Sequence, residues 1–186
     1  MLNAIDFIGL LKHLPAYLRL RTAQEAVCLP LLISLILWHI PPRKRLPAGH
    51  ALVFIFGTLI SAVFSIHRYA DGIETLCFIP GYALIVQLLP RTYQPSWNRA
   101  FGLSFLSVLF TDIWCSAVPH LKTGALPNNF YNGIGGAGFG DLLFLSPWLA
   151  AVPLFVSDTL FRGGIANMSL SDCFKLLKNR QNTGVE

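Results

Sequence analysis

Residues 100–118 read AFGLSFLSVLFTDIWCSAV, a stretch whose single charged side chain is Asp112. A helix rises about 1.5 Å per residue, so a stretch of this length can cross the roughly 30 Å of hydrocarbon in a bilayer. Similar apolar blocks occupy residues 23–40, 48–66, 73–89 and 142–161, and the Lys and Arg residues lie between or beyond them. The pattern predicts an all-α integral membrane protein, a bundle of about five transmembrane helices with short amphipathic interfacial helices at both termini.

The composition excludes an ordinary soluble domain. Hydrophobic residues make up 54% of the chain and charged residues only 12%, whereas soluble proteins carry roughly 25% charged residues. The basic residues lie at block edges and form no continuous face, so we expect the lipid bilayer as a partner and no nucleic acid. Residues 1–21 lack the pattern of a removable signal peptide.

We predict a single transmembrane domain over residues 1–186, with an interfacial segment (1–22), five spans (23–161) and an amphipathic tail (162–186). Positive residues in short loops stay in the cytoplasm. One predicted side holds five of them, Lys12, Arg19, Arg21, Arg68 and Lys122, and the other holds nine, Arg43, Lys44, Arg45, Arg91, Arg99, Arg162, Lys175, Lys178 and Arg180. This predicts a multi-pass protein of a bacterial inner membrane with its N-terminus outside and its C-terminus cytoplasmic.

Small residues recur every four positions in the second block, at Gly57, Ser61 and Ser65. Such a row lets another helix approach the backbone closely, and we interpret it as internal packing rather than a homodimer face. In the third block, Pro80 and Gly81 mark a kink or a hinge.

Asp112 is the most informative single residue, because an aspartate deep in a span costs about 2.5 to 3.5 kcal/mol. It should face the bundle interior, a water-filled cavity or a cation, and Arg68 or His67 is the partner we expect. Either the pair locks two helices together, or Asp112 belongs to a proton or ion relay or contacts a substrate. A polar arc accompanies it on the same block: Ser104, Ser107, Thr111, Cys115 and Ser116.

Further reactive side chains are predicted at the same end of the bundle. The candidate catalytic residues are His67, Arg68, Asp71, Glu74, Asp112 and His120. Residues 67–74 would place an acid/base group on one face if they are helical. The alternative is a solvated connector, which polar residues and an Asp-Gly turn also explain.

The loop at residues 127–141 is rich in glycine, and Gly133, Gly135 and Gly138 match G-x-G-x-x-G. A dinucleotide site requires a strand before this motif and a βαβ unit around it, so that reading is rejected. A flexible loop and a lid whose glycines permit close backbone approach stay open. The four cysteines show no metal-ligand spacing, so we expect no metal and no cofactor.

Three functions remain at this stage. The first is a small membrane protein that binds or assembles with another membrane component, either a protein partner or a second copy of itself. The second is an ion- or proton-coupled transport or channel component that uses Asp112. The third is a membrane-embedded enzyme with its site at the outer leaflet. The spans show no paired aspartates at a fixed spacing, and no hydrolase motif is visible.

Overall fold

The computed structural model describes residues 7–42, 45–69, 73–76, 79–123, 131, 134–135 and 137–162, and their side chains at 11–42, 45–65, 79–117, 131, 134–135 and 137–160. The described chain is predominantly helical and contains one two-stranded hairpin. Its elements, in chain order, are α1 (Phe7–Leu18), α2 (Arg21–His39), α3 (His50–Val63), β1 (Ile66–Tyr69), β2 (Ile73–Leu76), α4 (Gly81–Leu88), α5 (Trp97–Thr123) and α6 (Leu142–Arg162).

Three of the described helices are long and apolar enough to cross a membrane. They lie at Arg21–His39, Trp97–Ala117 and Leu142–Leu160, and they coincide with the first, fourth and fifth predicted blocks. Large apolar side chains stay exposed along them, such as Leu32 and Trp114. Exposed apolar surface of this extent is typical of helices that face lipid. The chain is therefore a membrane protein.

The prediction for residues 73–89 is corrected, because this block is not one transmembrane helix. Its first residues form β2, and its helix, α4, spans only 8 residues, or about 12 Å. Pro80 precedes α4 as its N-cap residue. The second block contains α3, whose 14 residues reach about 21 Å, also less than the hydrocarbon thickness.

The described parts of the connector, residues 67–69 and 73–74, are strand rather than helix. Strands β1 and β2 pair antiparallel, with Arg68 opposite Glu74 and His67 opposite Thr75. An antiparallel hairpin satisfies its own backbone groups across the two strands. The idea that Asp71 and Glu74 share a helical face is thus wrong; Asp71 itself lies outside the described residues.

The small-residue row of α3 packs against α4, as predicted for Gly57 and Ser61. A Cβ atom added to Gly57 would lie 2.6 Å from the Tyr82 Cα atom. The Gly81 backbone N–H donates a 2.8 Å hydrogen bond to Ser61 Oγ. Gly81 thus begins α4 beside the middle of α3, so α4 is a half-length helix that starts inside the bundle.

The hydroxyl groups of α5 mostly join helices. Ser104 Oγ lies 2.7 Å from Ser146 Oγ of α6, and Ser107 Oγ lies 2.9 Å from Thr58 Oγ1 of α3. Thr111 donates to the Ser107 carbonyl oxygen at 2.9 Å. These three members of the predicted polar arc are buried and bonded, so they stabilise helix packing.

Basic residues gather at one end of the bundle. There Asn98 donates a 2.9 Å hydrogen bond to the Ile40 carbonyl oxygen just beyond α2, beside Arg99. Arg91 donates to Ser157 Oγ, near the end of α6, at 2.6 Å. The end of α2, the start of α5 and the end of α6 are therefore neighbours, and the start of α6 lies at the opposite end.

Candidate active site

Asp112 lies in α5 and is only 3% exposed. One turn before it along α5, Val108 packs in a buried cluster with Leu143 of α6 and with Ile134. Residues four apart share one face of a helix, so Asp112 lies on the face of α5 that is turned toward the start of α6. The prediction that this carboxyl points into the bundle is confirmed.

Asp141 directly precedes α6 and caps that helix. Its Oδ1 atom accepts a 2.9 Å hydrogen bond from the Leu143 N–H, and its Oδ2 atom accepts a 3.4 Å bond from the Ala137 N–H. Burial raises the pKa of Asp141, and the two backbone N–H groups oppose that shift by stabilising the carboxylate. Asp141 also lies within electrostatic range of Asp112.

Tyr17 of α1 packs at the same end of the bundle. Its side chain is 7% exposed, and its hydroxyl donates a 2.6 Å hydrogen bond to the Ile134 carbonyl oxygen. Burial, and after it the negative charges of Asp112 and Asp141, raises the pKa of Tyr17. Tyr17 also belongs to the buried cluster in which α5 packs on the start of α6, so Asp112 and Asp141 lie at the same end of the bundle.

Residues 134–135 and 137–141, which we call the strap, lead into α6. Gly135 and Gly138 adopt positive φ angles of 66° and 57°, which glycine adopts without strain. The strap lies on a π-helical turn of α2, Gln24–Cys28: a Cβ atom on Gly135 would lie 2.9 Å from the Ala26 Cβ atom. Gly135 and Gly138 therefore approach α2 of the same chain closely, and the lid alternative stays a prediction; Gly133 lies outside the described residues.

The π-helical turn contributes charged groups at the rim of the site. Glu25 Oε2 would lie 2.6 Å from a Cβ atom on Gly138, and Glu25 Oε1 forms a 2.7 Å ion pair with Arg21. The Arg21 side chain is 89% exposed, so the pair contributes little to stability. Turns of this type interrupt α-helices frequently at functional sites.

The donor set does not resemble a metal centre. Within the part of the chain that the structure describes, no group of three or more His, Cys, Asp or Glu side chains is placed to hold a metal ion. Cys28 and Cys115 are both free thiols. Asp112 is buried and Asp141 is partly buried, so this end of the bundle offers two carboxyl groups.

No family model, no curated protein and no solved structure matches this chain. The site is therefore interpreted from its own geometry.

The other predicted site residues are only partly described. His67, Arg68 and Glu74 lie in the hairpin, and His120 lies in α5, but their side chains are outside the described set. Pairing of Arg68 or His67 with Asp112 thus stays a prediction. The backbone of β2 does run close to α5.

The sequence did not single out Asp141 as a site residue. Asp112 stands alone in an apolar block, while Asp141 flanks the glycine-rich loop. The available signal was position: Asp141 comes immediately before the block that became α6, where an aspartate caps a helix. Tyr17 carried no signal, because its partner Ile134 lies 117 residues away.

Proposed function

We propose that the chain is a membrane-embedded hydrolase that uses Asp112 and Asp141 as a paired general acid and general base. The observation that supports this best is that both carboxyl groups lie where α5 packs on the start of α6, with Asp112 buried and Asp141 capping α6. Two carboxyl groups that repel each other in a poorly hydrated site favour sharing one proton, the arrangement found in aspartic proteases. Such a pair offers a base and an acid simultaneously.

The reaction that suits this pair is hydrolysis of an amide bond. The ionised carboxyl takes a proton from water while the water oxygen bonds to the carbonyl carbon, and the protonated carboxyl donates to the carbonyl oxygen. In the second step the C–N bond breaks, the protonated carboxyl passes its proton to the departing nitrogen, and the other carboxylate takes a proton from one hydroxyl of the intermediate, whose carbon becomes the new carboxyl group. One water is consumed, and a carboxylic acid and an amine are released.

The substrate class follows from where the pair lies. Asp112 belongs to a helix long enough to span a membrane, and Asp141 directly precedes another such helix. A bond that reaches them must belong to a molecule that resides in or at the bilayer, and we propose a membrane-anchored polypeptide. Asparagine substitution of each carboxyl, with new N-termini in the membrane fraction as the measurement, tests the proposal.

The finer topology is part of the same proposal. We propose five crossings in a bacterial inner membrane, with the C-terminus cytoplasmic, on the basis of the charge distribution in the sequence. Helix α3 would supply the second crossing. The half-length α4, together with the hairpin that precedes it, would supply the third. Broken helices of this kind occur where their ends are buried against protein, as the Gly81 N–H is against Ser61.

A second function is favoured by a different observation, a cleft of about 450 Å³ between α3 and α5. Apolar side chains line most of it, including Leu59, Ala62, Ile113 and Trp114. Leu59 and Trp114 are more than half exposed. This cleft supports the alternative that the chain binds a transmembrane helix of another membrane protein.

The binding alternative predicts a position-specific cross-link. A photoreactive benzoylphenylalanine at Leu59 should attach to one discrete protein in membranes, because Leu59 borders the cleft. The matched control is Leu32 of α2, which is 55% exposed against 56% for Leu59 but lies outside the cleft. Equal labelling from both positions, or labelling of lipid alone, would remove this function.

A further inference from the structure

The contacts of Tyr17 continue through the strap to Asp141. The Tyr17 hydroxyl holds the Ile134 carbonyl oxygen at 2.6 Å. Within the strap, the Gly138 N–H donates to the Gly135 carbonyl oxygen at 3.2 Å, and the Asp141 N–H donates to the Gly138 carbonyl oxygen at 3.0 Å. These bonds form one connected path from α1 to the residue that caps α6.

The strap also fixes the carboxyl group of Asp141 directly. The Ala137 N–H donates to Asp141 Oδ2, and the Leu143 N–H donates to Oδ1. Because one donor belongs to the strap and the other to α6, the carboxyl keeps this orientation only while the strap stays in place. Movement of the strap would free one oxygen.

Tyr17 is one of several attachments of the strap. Ile134 is buried in the core cluster at 4% exposure, and Gly135 packs closely on the π-helical turn, whereas Phe139 is 48% exposed. The Tyr17 ring also stacks on Tyr131, with ring centroids 4.9 Å apart. Tyr17 thus contacts both the strap and Tyr131. Tyr17 belongs to α1, which comes before the first spanning helix in the chain.

We propose that Tyr17 is a positioning residue that latches the strap and thereby fixes the orientation of the Asp141 carboxyl. This inference rests on the proposed function for its catalytic meaning, but the latch itself is a structural property. The groups whose charges raise the pKa of Tyr17 are Asp112 on α5, Asp141, Cys28 on the π-helical turn and Tyr131, and Glu25 of that turn lies beside Gly138 of the strap. Through the latch, displacement of α1 would disorient the carboxyl pair.

The test is amide hydrogen exchange of the full-length protein in detergent. Tyr17→Phe keeps the ring and removes only the hydroxyl, so we expect exchange at Ala137 and Asp141 to accelerate about 3- to 10-fold, the effect of one lost hydrogen bond. Exchange within α5 should not change. Tyr93→Phe is the control, because Tyr93 is 57% exposed and lies between α4 and α5.

The location of the faster exchange separates positioning from a general loss of structure. Unchanged strap exchange in Tyr17→Phe, or acceleration spread equally through α5, would overturn the latch.

The exchange measurement does not depend on catalysis. If asparagine at the two carboxyl positions leaves membrane proteolysis unaltered while Tyr17→Phe still loosens the strap, the hydrolase proposal fails and the latch stands. If proteolysis is lost with asparagine but the strap is unaffected by Tyr17→Phe, the latch alone fails.

Discussion

Asp112→Asn and Asp141→Asn should each reduce proteolysis by about 1,000-fold or more while the protein still accumulates in the membrane. When two residues act as one catalytic unit, removal of either one abolishes most of the rate enhancement. Asparagine keeps the size of the side chain, and at position 141 it still offers an oxygen to the Leu143 N–H. Asparagine cannot, however, act as a general acid or a general base. The measurement is mass spectrometry of labelled N-termini in the membrane fraction of cells that express each variant.

The matched control for both substitutions is Asp158→Asn. Asp158 is a partly buried carboxyl on α6, 17 residues along the chain from Asp141 and about 25 Å away along a helix. We expect this variant to yield the same N-termini as the unaltered protein. If the N-termini that appear with the unaltered chain also appear with Asp112→Asn, the paired-acid mechanism is wrong.

Gly57→Ala should destabilise the packing of α3 against α4. The added Cβ would lie 2.6 Å from Tyr82 Cα and 2.8 Å from Tyr82 N, and these are backbone atoms that cannot rotate away. Helix α4 would have to separate from α3. We expect the free energy of unfolding to fall by about 1–3 kcal/mol, measured as a lower midpoint of thermal unfolding in detergent.

Gly102→Ala provides the comparison for that substitution. Gly102 also lies within a helix, but its added Cβ would find its nearest atom, Trp38 Cε3, at 3.5 Å, an ordinary contact. Its midpoint should stay unchanged or rise slightly, because alanine favours helix over glycine. Equal midpoints for the two variants would mean that α3 and α4 are not packed as closely as described.

The long apolar blocks were predictable because length and hydropathy alone decide whether a helix can span a bilayer. Residues 100–118 and 142–161 satisfy that condition regardless of their neighbours. The block at residues 73–89 is also apolar, but it does not form one spanning helix. Its Pro80-Gly81 pair ends regular structure locally, and the half-helix that follows is stabilised by Gly57 and Ser61 of another helix. That long-range packing has no signature in the block itself.

The candidate site was predictable only in part, for a related reason. Asp112 is recognisable as a candidate from the sequence alone, because a charged residue inside an apolar block is energetically costly. Its relation to Asp141 depends on how a glycine-rich strap folds onto a π-helical turn far away in the chain. Positive φ angles at Gly135 and Gly138 make that path accessible, but the presence of glycines does not specify where the strap lies.

The most direct test of the central claim is cross-linking of the two carboxyl positions. In a chain whose native cysteines are alanine, the pair Asp112→Cys and Asp141→Cys is treated in membranes with the shortest available bifunctional thiol reagent. The account predicts an efficient intramolecular link for this pair and none for the pair Asp112→Cys and Asp158→Cys. If each cysteine at 112 and 141 reacts singly but the two never link, the carboxyl groups do not converge and the proposed mechanism is contradicted.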